Sequence, residues 1–346
     1  MTIRKQFHIC AALVAMLLCG CSKEGPFKDS SSQNDSAIDI MPVMDGGKAA
    51  TRASLYDDED DLREDLFHTY SYLSATPTRP TALFFSSDAR YSDEDIDQSK
   101  HRWLFWGESG YQSFYWPLEG TLDFFAYAPS DNGYVQINSS VNPPTFTATM
   151  PMTNTEGTVH QENMKEFLYA YTPARDKTGG AVPLAFRHPF SGIVFKVKQS
   201  QRDLTVKSIT IDGVRYVGTA SVDPETGVAT WTLDETKSAK LDLTVNKIIP
   251  GTVNFGGELC GPYLVLPQDN TEGKELCIEC HWKGYDPESD DEEDDTKVLK
   301  GKITNEWKAS QIYTYNLDLG NSREEIMFSV EVTPWKYVYD HVFEIE

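Results

Sequence analysis

VPLAFRHPFSGIVFKVK, Val182 to Lys198, is the stretch on which the reading of the fold turns. In an extended chain Leu184, Phe186 and His188 fall on one side, and after Ser191-Gly192 the apolar side passes to Ile193, Phe195 and Val197. The parity therefore flips, which predicts one strand with a glycine-marked bulge or kink. Just upstream, Lys177-Thr178-Gly179-Gly180 is a loop signal that divides the chain into halves of similar size. A domain junction is expected there.

Outward from this stretch, short apolar and aromatic runs recur between turn residues. In the first half they are expected as strands at Ala82–Ser86, Arg102–Trp106, Tyr111–Trp116, Leu122–Tyr127, Tyr134–Ile137, Thr145–Thr149 and Phe167–Tyr171. The second half continues with Val206–Ile211, Ala229–Leu233, Tyr263–Leu266, Glu275–Lys283, Val298–Ile303, Gln311–Leu319 and Ile326–Val332. Short strands at this spacing predict sandwiches or barrels. Asp57–Leu66, DDEDDLREDL, reads as a solvated acidic loop, with an acidic helical turn as the alternative, and Pro287–Asp295, PESDDEEDD, as a charged hairpin tip. The latter has neither the glycine nor the alternating ligands of a calcium loop.

A chain of 346 residues has room for two domains, and a net charge of −22 excludes a nucleic-acid backbone binder, which needs a basic footprint. At the N-terminus Arg4 and Lys5 precede an apolar run, Ile9–Leu18, too short to span a bilayer. Leu18-Cys19-Gly20-Cys21 closes it and resembles a bacterial lipoprotein lipobox, with residues 1–20 as signal peptide and Cys21 as the lipidated residue holding the protein to the outer membrane. Residues 21–52 then read as a polar tether around one apolar patch, Ile38–Val43. The alternative is that Ile38, Ile40 and Met44 belong to a detachable strand, with Arg52-Ala53 as the point of cleavage.

Several stretches resemble the fimbrillin family of Bacteroidota: YWPLEGTLDFFAYAP (Tyr115–Pro129), EFLYAY (Glu166–Tyr171), LAFRH (Leu184–His188), GPYLVLPQ (Gly261–Gln268), IYTYNLDL (Ile312–Leu319) and VTPW (Val332–Trp335). The resemblance implies an all-β protein with two β-sandwich domains of transthyretin-like topology, at 53–180 and 181–346. It also implies export as a surface lipoprotein and assembly into fimbriae or adhesive tips. In polymerising members a trypsin-like, Arg-specific protease cuts in the N-terminal arm, and a strand from a neighbouring subunit fills the groove that opens. Thr51-Arg52-Ala53 occupies the matching place. The terminal alternation Tyr337, Tyr339, His341, Phe343, Ile345 is a candidate donor strand, or else an edge strand of its own domain.

Few residues suggest chemistry. Cys277-Ile278-Glu279-Cys280-His281 matches a haem-attachment spacing, but in a strand the two thiols diverge, and neither haem nor a zinc site of the three cysteines with His281 is expected. If Tyr263–Leu266 and Glu275–Lys283 form a hairpin, Cys260 comes opposite Cys280 and a disulfide is geometrically allowed. Trp103, Trp106 and Trp116, with Tyr111 and Tyr115, read as core aromatics or as a stacking platform for a glycan. His188, on an apolar side, reads as a hydrogen-bonded core histidine. No nucleophile elbow or zinc-binding helix motif occurs, so no enzyme, cofactor or metal is expected.

Overall fold

A computed structural model of the chain describes residues 37–44, 62–74, 81–92, 103–152, 165–199, 203–251, 257–282, 295–319 and 326–335. Its strands, in chain order, are β1 (Ile40–Met44), β2 (Phe67–Leu73), β3 (Ala82–Tyr91), β4 (Trp103–Gly107), β5 (Gly110–Tyr111), β6 (Leu122–Ala128), β7 (Val135–Asn138), β8 (Thr145–Thr149), β9 (Leu168–Arg175) and β10 (Val182–Phe186). They continue with β11 (Ser191–Gln199), β12 (Leu204–Arg215), β13 (Val217–Val222), β14 (Ala229–Leu233), β15 (Ser238–Ile249), β16 (Gly257–Val265), β17 (Lys274–Trp282), β18 (Asp295–Ile303), β19 (Gln311–Asp318) and β20 (Met327–Pro334). The protein is all-β.

Three apolar cores organise these strands. The first lies between one face of the six-stranded sheet β5-β4-β3-β2-β6-β9 and the two-stranded sheet β1-β10, and contains Phe67, Leu122, Phe124, Leu168, Leu184 and Phe186. Another fills a sandwich of two four-stranded sheets, β16-β11-β19-β20 and β15-β12-β17-β18, with Phe195, Ile209, Ile278, Trp307 and Tyr315 at its centre. The third joins them. It takes Phe125 and Tyr169 from the back of the six-stranded sheet, Phe146 and Ala220 from the sheet β14-β13-β8-β7, and Val194, Leu264 and Ile312 from the outer face of the β11 sheet.

The stretch read as one kinked strand is two strands in different sheets. β10 places Val182, Leu184 and Phe186 in the first core, and β11 places Ile193, Phe195 and Val197 in the sandwich core. The parity flip records this passage between cores through Arg187–Phe190. β11 is also buried on its other face, because Val194 belongs to the joining core; hence its unbroken apolar run, as expected of a central strand parallel to its neighbour β19. Strands from either side of residue 180 share a sheet as well, since Val217–Ala220 of β13 pair with Phe146–Thr149 of β8.

The bulge lies elsewhere than at Gly192. Between the pairs Ile193↔Tyr263 and Phe195↔Cys260 the extra residue is on β16, at Gly261-Pro262. Gly261 has φ +110°, and a Cβ there would stand 2.5 Å from the Ile193 carbonyl oxygen. Both the backbone conformation and the space require glycine. Gly261→Ala should therefore lower unfolding free energy by about 2 kcal/mol or more, read from the urea midpoint at unchanged m. Gly192 has a different job: its missing Cβ lets Ile312 and the Trp335 ring approach to 3.2 and 3.3 Å of where that atom would be.

Candidate assembly groove

The strand β1 is short and rests on few neighbours. Its five residues pair in parallel with β10 from Ile40↔Val182 to Met44↔Phe186, and Val182 N–H donates to the Asp39 carbonyl at 2.8 Å. On the other side it is held near its start by Ile38 N–H donating to Phe114 O at 2.8 Å and by a bridge between Ala37 and Tyr115. Pro42 has no N–H to give a ladder, which suits a strand at an edge. Ile38, Ile40 and Met44 are buried in the first core, whereas Met41 between them is 48% exposed. β1 thus seats an alternating apolar face in a groove floored by the six-stranded sheet.

The wall of this groove is tied to the rest of the body. Tyr169 and Arg187 exchange both backbone hydrogen bonds, so the chain leaving β10 is fastened to β9. Next comes His188, 1% exposed, whose Nδ1 is 2.5 Å from Oε1 of the fully buried Glu166. Its ring stacks flat on Trp335, with centroids 4.6 Å apart at 11°. Ser310 closes the knot: its Oγ donates to His188 O, its N–H to Phe190 O, and its carbonyl accepts from Trp335 N–H. His188 is indeed a hydrogen-bonded interior histidine. No sequence pattern marks its carboxylate partner, which lies twenty-two positions upstream.

The other expected site residues divide into three groups. Cys21, Arg52, Ala53 and the alternating Tyr337, Tyr339, His341, Phe343 and Ile345 lie outside the described residues. Trp103 and Trp116 do not form a platform: both are buried in the first core, Trp103 against Phe67 and Tyr91 and Trp116 against Phe124. Trp106, on the opposite side of β4, is half-buried with the Arg90 guanidinium 3.7 Å above its ring. A stacking surface of the three indoles is therefore ruled out by strand alternation.

The disulfide expected between Cys260 and Cys280 is likewise absent, and both thiols are free. The hairpin that would have set them opposite does not form, because β16 joins the β11 sheet and β17 the β12 sheet, across the core. Along β17, Leu276, Ile278 and Cys280 point into that core and Cys277 points away, so the two thiols of the CxxCH stretch diverge. Burial pushes the Cys280 thiol up to about 12, and Cys260 likewise. Cys277 is raised too, by burial and then by its hydrogen bond to Glu275. At pH 8 iodoacetamide should label Cys277 first and Cys280 only after unfolding, with three labels per body in denaturant without reductant; intact mass would count them.

The fimbrillin-like family matches the sequence from residue 51 to residue 335, beginning one residue before Arg52 and ending on Trp335. No curated protein matches. Among solved structures, a fimbrial protein from Bacteroides vulgatus is similar in fold at 14% identity and a TM-score of 0.59, covering 86% of this chain and 99% of that one. A candidate cell adhesion protein from Bacteroides uniformis is similar at 17% identity and a TM-score of 0.51, with 87% and 100% covered. Another from Bacteroides ovatus has 16% identity and a TM-score of 0.50, with 86% and 97% covered. With its match extending over most of the sequence, the chain belongs to the fimbrillin-like family.

Proposed function

We propose that this chain is a subunit or tip adhesin of cell-surface fimbriae, assembled by strand exchange after an Arg-specific protease cuts between Arg52 and Ala53. The observation that carries this reading is β1. It is an apolar-faced strand with one full-length partner, it lies upstream of Arg52, and it falls outside the family match that begins at residue 51. Losing it would bare the outward hydrogen-bonding edge of β10 and the apolar floor beneath, an arrangement costly in water and satisfied by a strand from another subunit. Tyr337–Ile345, with its period of two, is the strand we assign as donor. Cys21 carries the lipid that holds the unprocessed chain to the outer membrane.

The test is limited digestion of the mature chain with an Arg-specific protease, followed by gel analysis without boiling. A cut after Arg52 that releases the arm and yields an SDS-resistant ladder supports the reading. Release of the arm with a body that stays monomeric would remove self-donation, and resistance of Arg52 to cleavage would remove the processing step.

A further inference from the structure

Away from the groove, on the opposite face of the six-stranded sheet, three polar side chains stand in line. His68 of β2 is directly across from Asp88 of β3, and Tyr70 is directly across from Ser86, so strand alternation turns all four side chains to the same side. His68 Nδ1 lies 2.6 Å from Asp88 Oδ1, and its Nε2 lies 2.8 Å from Ser86 Oγ. With the Asp88 carboxylate oxygen as acceptor, Nδ1–H is the donor, and in the neutral imidazole Nε2 is then left to accept from the serine hydroxyl. Ser86 is exposed, and the side chains of His68 and Asp88 retain 19% and 37% exposure. The Tyr70 and Tyr127 rings pack against the imidazole at 4.7 and 5.5 Å and fix its plane.

These are the three roles nucleophilic catalysis requires: a hydroxyl, a base within hydrogen-bond reach of it, and a carboxylate that sets the tautomer of the base. Nothing in strand exchange uses them. We propose that Ser86 is an activated nucleophile, with His68 as its base and Asp88 as the residue that orients His68, and that it cleaves small carboxylic esters. Ser86 Oγ bonds to the ester carbonyl carbon as its proton passes to His68 Nε2. The C–O bond to the alcohol then breaks, and the departing alkoxide takes that proton. Water attacks the acyl-serine, giving its proton to Nε2; the acid leaves and Ser86 regains its hydrogen. Ser86 lies at the exposed margin of a face whose Tyr70 and Tyr127 rings pack in part against the third core, so its substrates are short acyl groups on aryl alcohols, which can rest on the uncovered parts of those rings, rather than long chains that need an enclosed pocket.

The test uses the full chain with p-nitrophenyl acetate, with peptide mass spectrometry of the quenched protein. General-base assistance of this kind accelerates by on the order of 10²–10⁴-fold. We expect one acetyl group on Ser86, p-nitrophenol release at least tenfold faster than in Ser86→Ala, a similar loss in His68→Gln, and a partial loss in Asp88→Asn. Acetyl groups on lysines alone, or a Ser86→Ala rate equal to wild type, would overturn the proposal. Far-UV circular dichroism checks that each variant folds; should Ser86→Ala fail, the adduct position in wild type and the Asp88→Asn rate decide. The outcome is independent of whether the chain polymerises.

Discussion

Glu166→Ala is expected to cost about 3–5 kcal/mol of unfolding free energy, among the largest losses a single substitution can cause in this protein. Glu166 and the His188 side chain are both buried, and their 2.5 Å contact lies in the interior beside Trp335. Truncating the acid leaves the imidazole in a low-dielectric site without the oxygen that oriented it, and opens a cavity where the side chain stood. Glu166→Gln keeps the size and one acceptor, so a loss of about 1–2 kcal/mol is expected. The informative variant is the double one, Glu166→Leu with His188→Phe. A ring at 188 preserves the stack on Trp335, and with neither polar group buried the double variant should recover most of what either single change loses. Urea unfolding of wild type, Glu166→Leu, His188→Phe and the double variant measures this coupling. Single changes that cost under 1 kcal/mol would mean that Ser310 and the backbone hold the knot without the pair.

The second large effect concerns the hold of the body on β1. Ile38, Ile40 and Met44 are 4–6% exposed, and burying such side chains is worth about 1.5–3 kcal/mol each. About 5–9 kcal/mol of gross apolar stabilisation therefore opposes release, before the entropy of ordering the strand is subtracted. A cut after Arg52 should then leave the arm bound until a competing strand displaces it. Ile40→Asp should reverse this, because a carboxylate would have to be buried without a partner. Loss of the isoleucine alone weakens the arm by roughly 12- to 150-fold, and the buried charge adds to that. Met41→Asp, on the exposed side of the same strand, is the control and should leave the arm in place. Gel filtration of cut protein, with intact mass of the body fraction, reads the result. An Ile40→Asp arm that stays on as tightly as wild type would mean that the inner face of β1 is not what seats it.

Individual strands were legible wherever alternation was clean. Leu122–Tyr127, Thr145–Thr149 and Ala229–Leu233 agree with β6, β8 and β14 to within one residue. Two strands that escaped have polar residues on an inner face or long exposed stretches. In β2, FHTYSYL, the inward Thr69 and Ser71 are fully buried, so the apolar period is missing although the geometry is present. β15, SAKLDLTVNKII, has only Leu241, Leu243 and Ile249 as fully buried anchors. The aromatics of Tyr111–Trp116 suggest a strand, yet only Gly110–Tyr111 pairs regularly, and Trp116 reaches the core from a loop.

By itself the sequence determined the all-β class, the apolar alternation around Ile40, and the inward set of β17 with Cys280 among it. Each of these depends on a period of two, which any extended chain obeys whatever lies opposite it. Partnership was decided only by the tertiary structure. Which sheet receives β16 and β17, and hence why Cys260 and Cys280 do not bond, follows from three cores competing for the same strands. So does the split of Val182–Lys198 between two of those cores, and so does the contact of Glu166 with His188 and Trp335. A side chain's face is a local property of the backbone; what covers that face is a property of the whole packed chain.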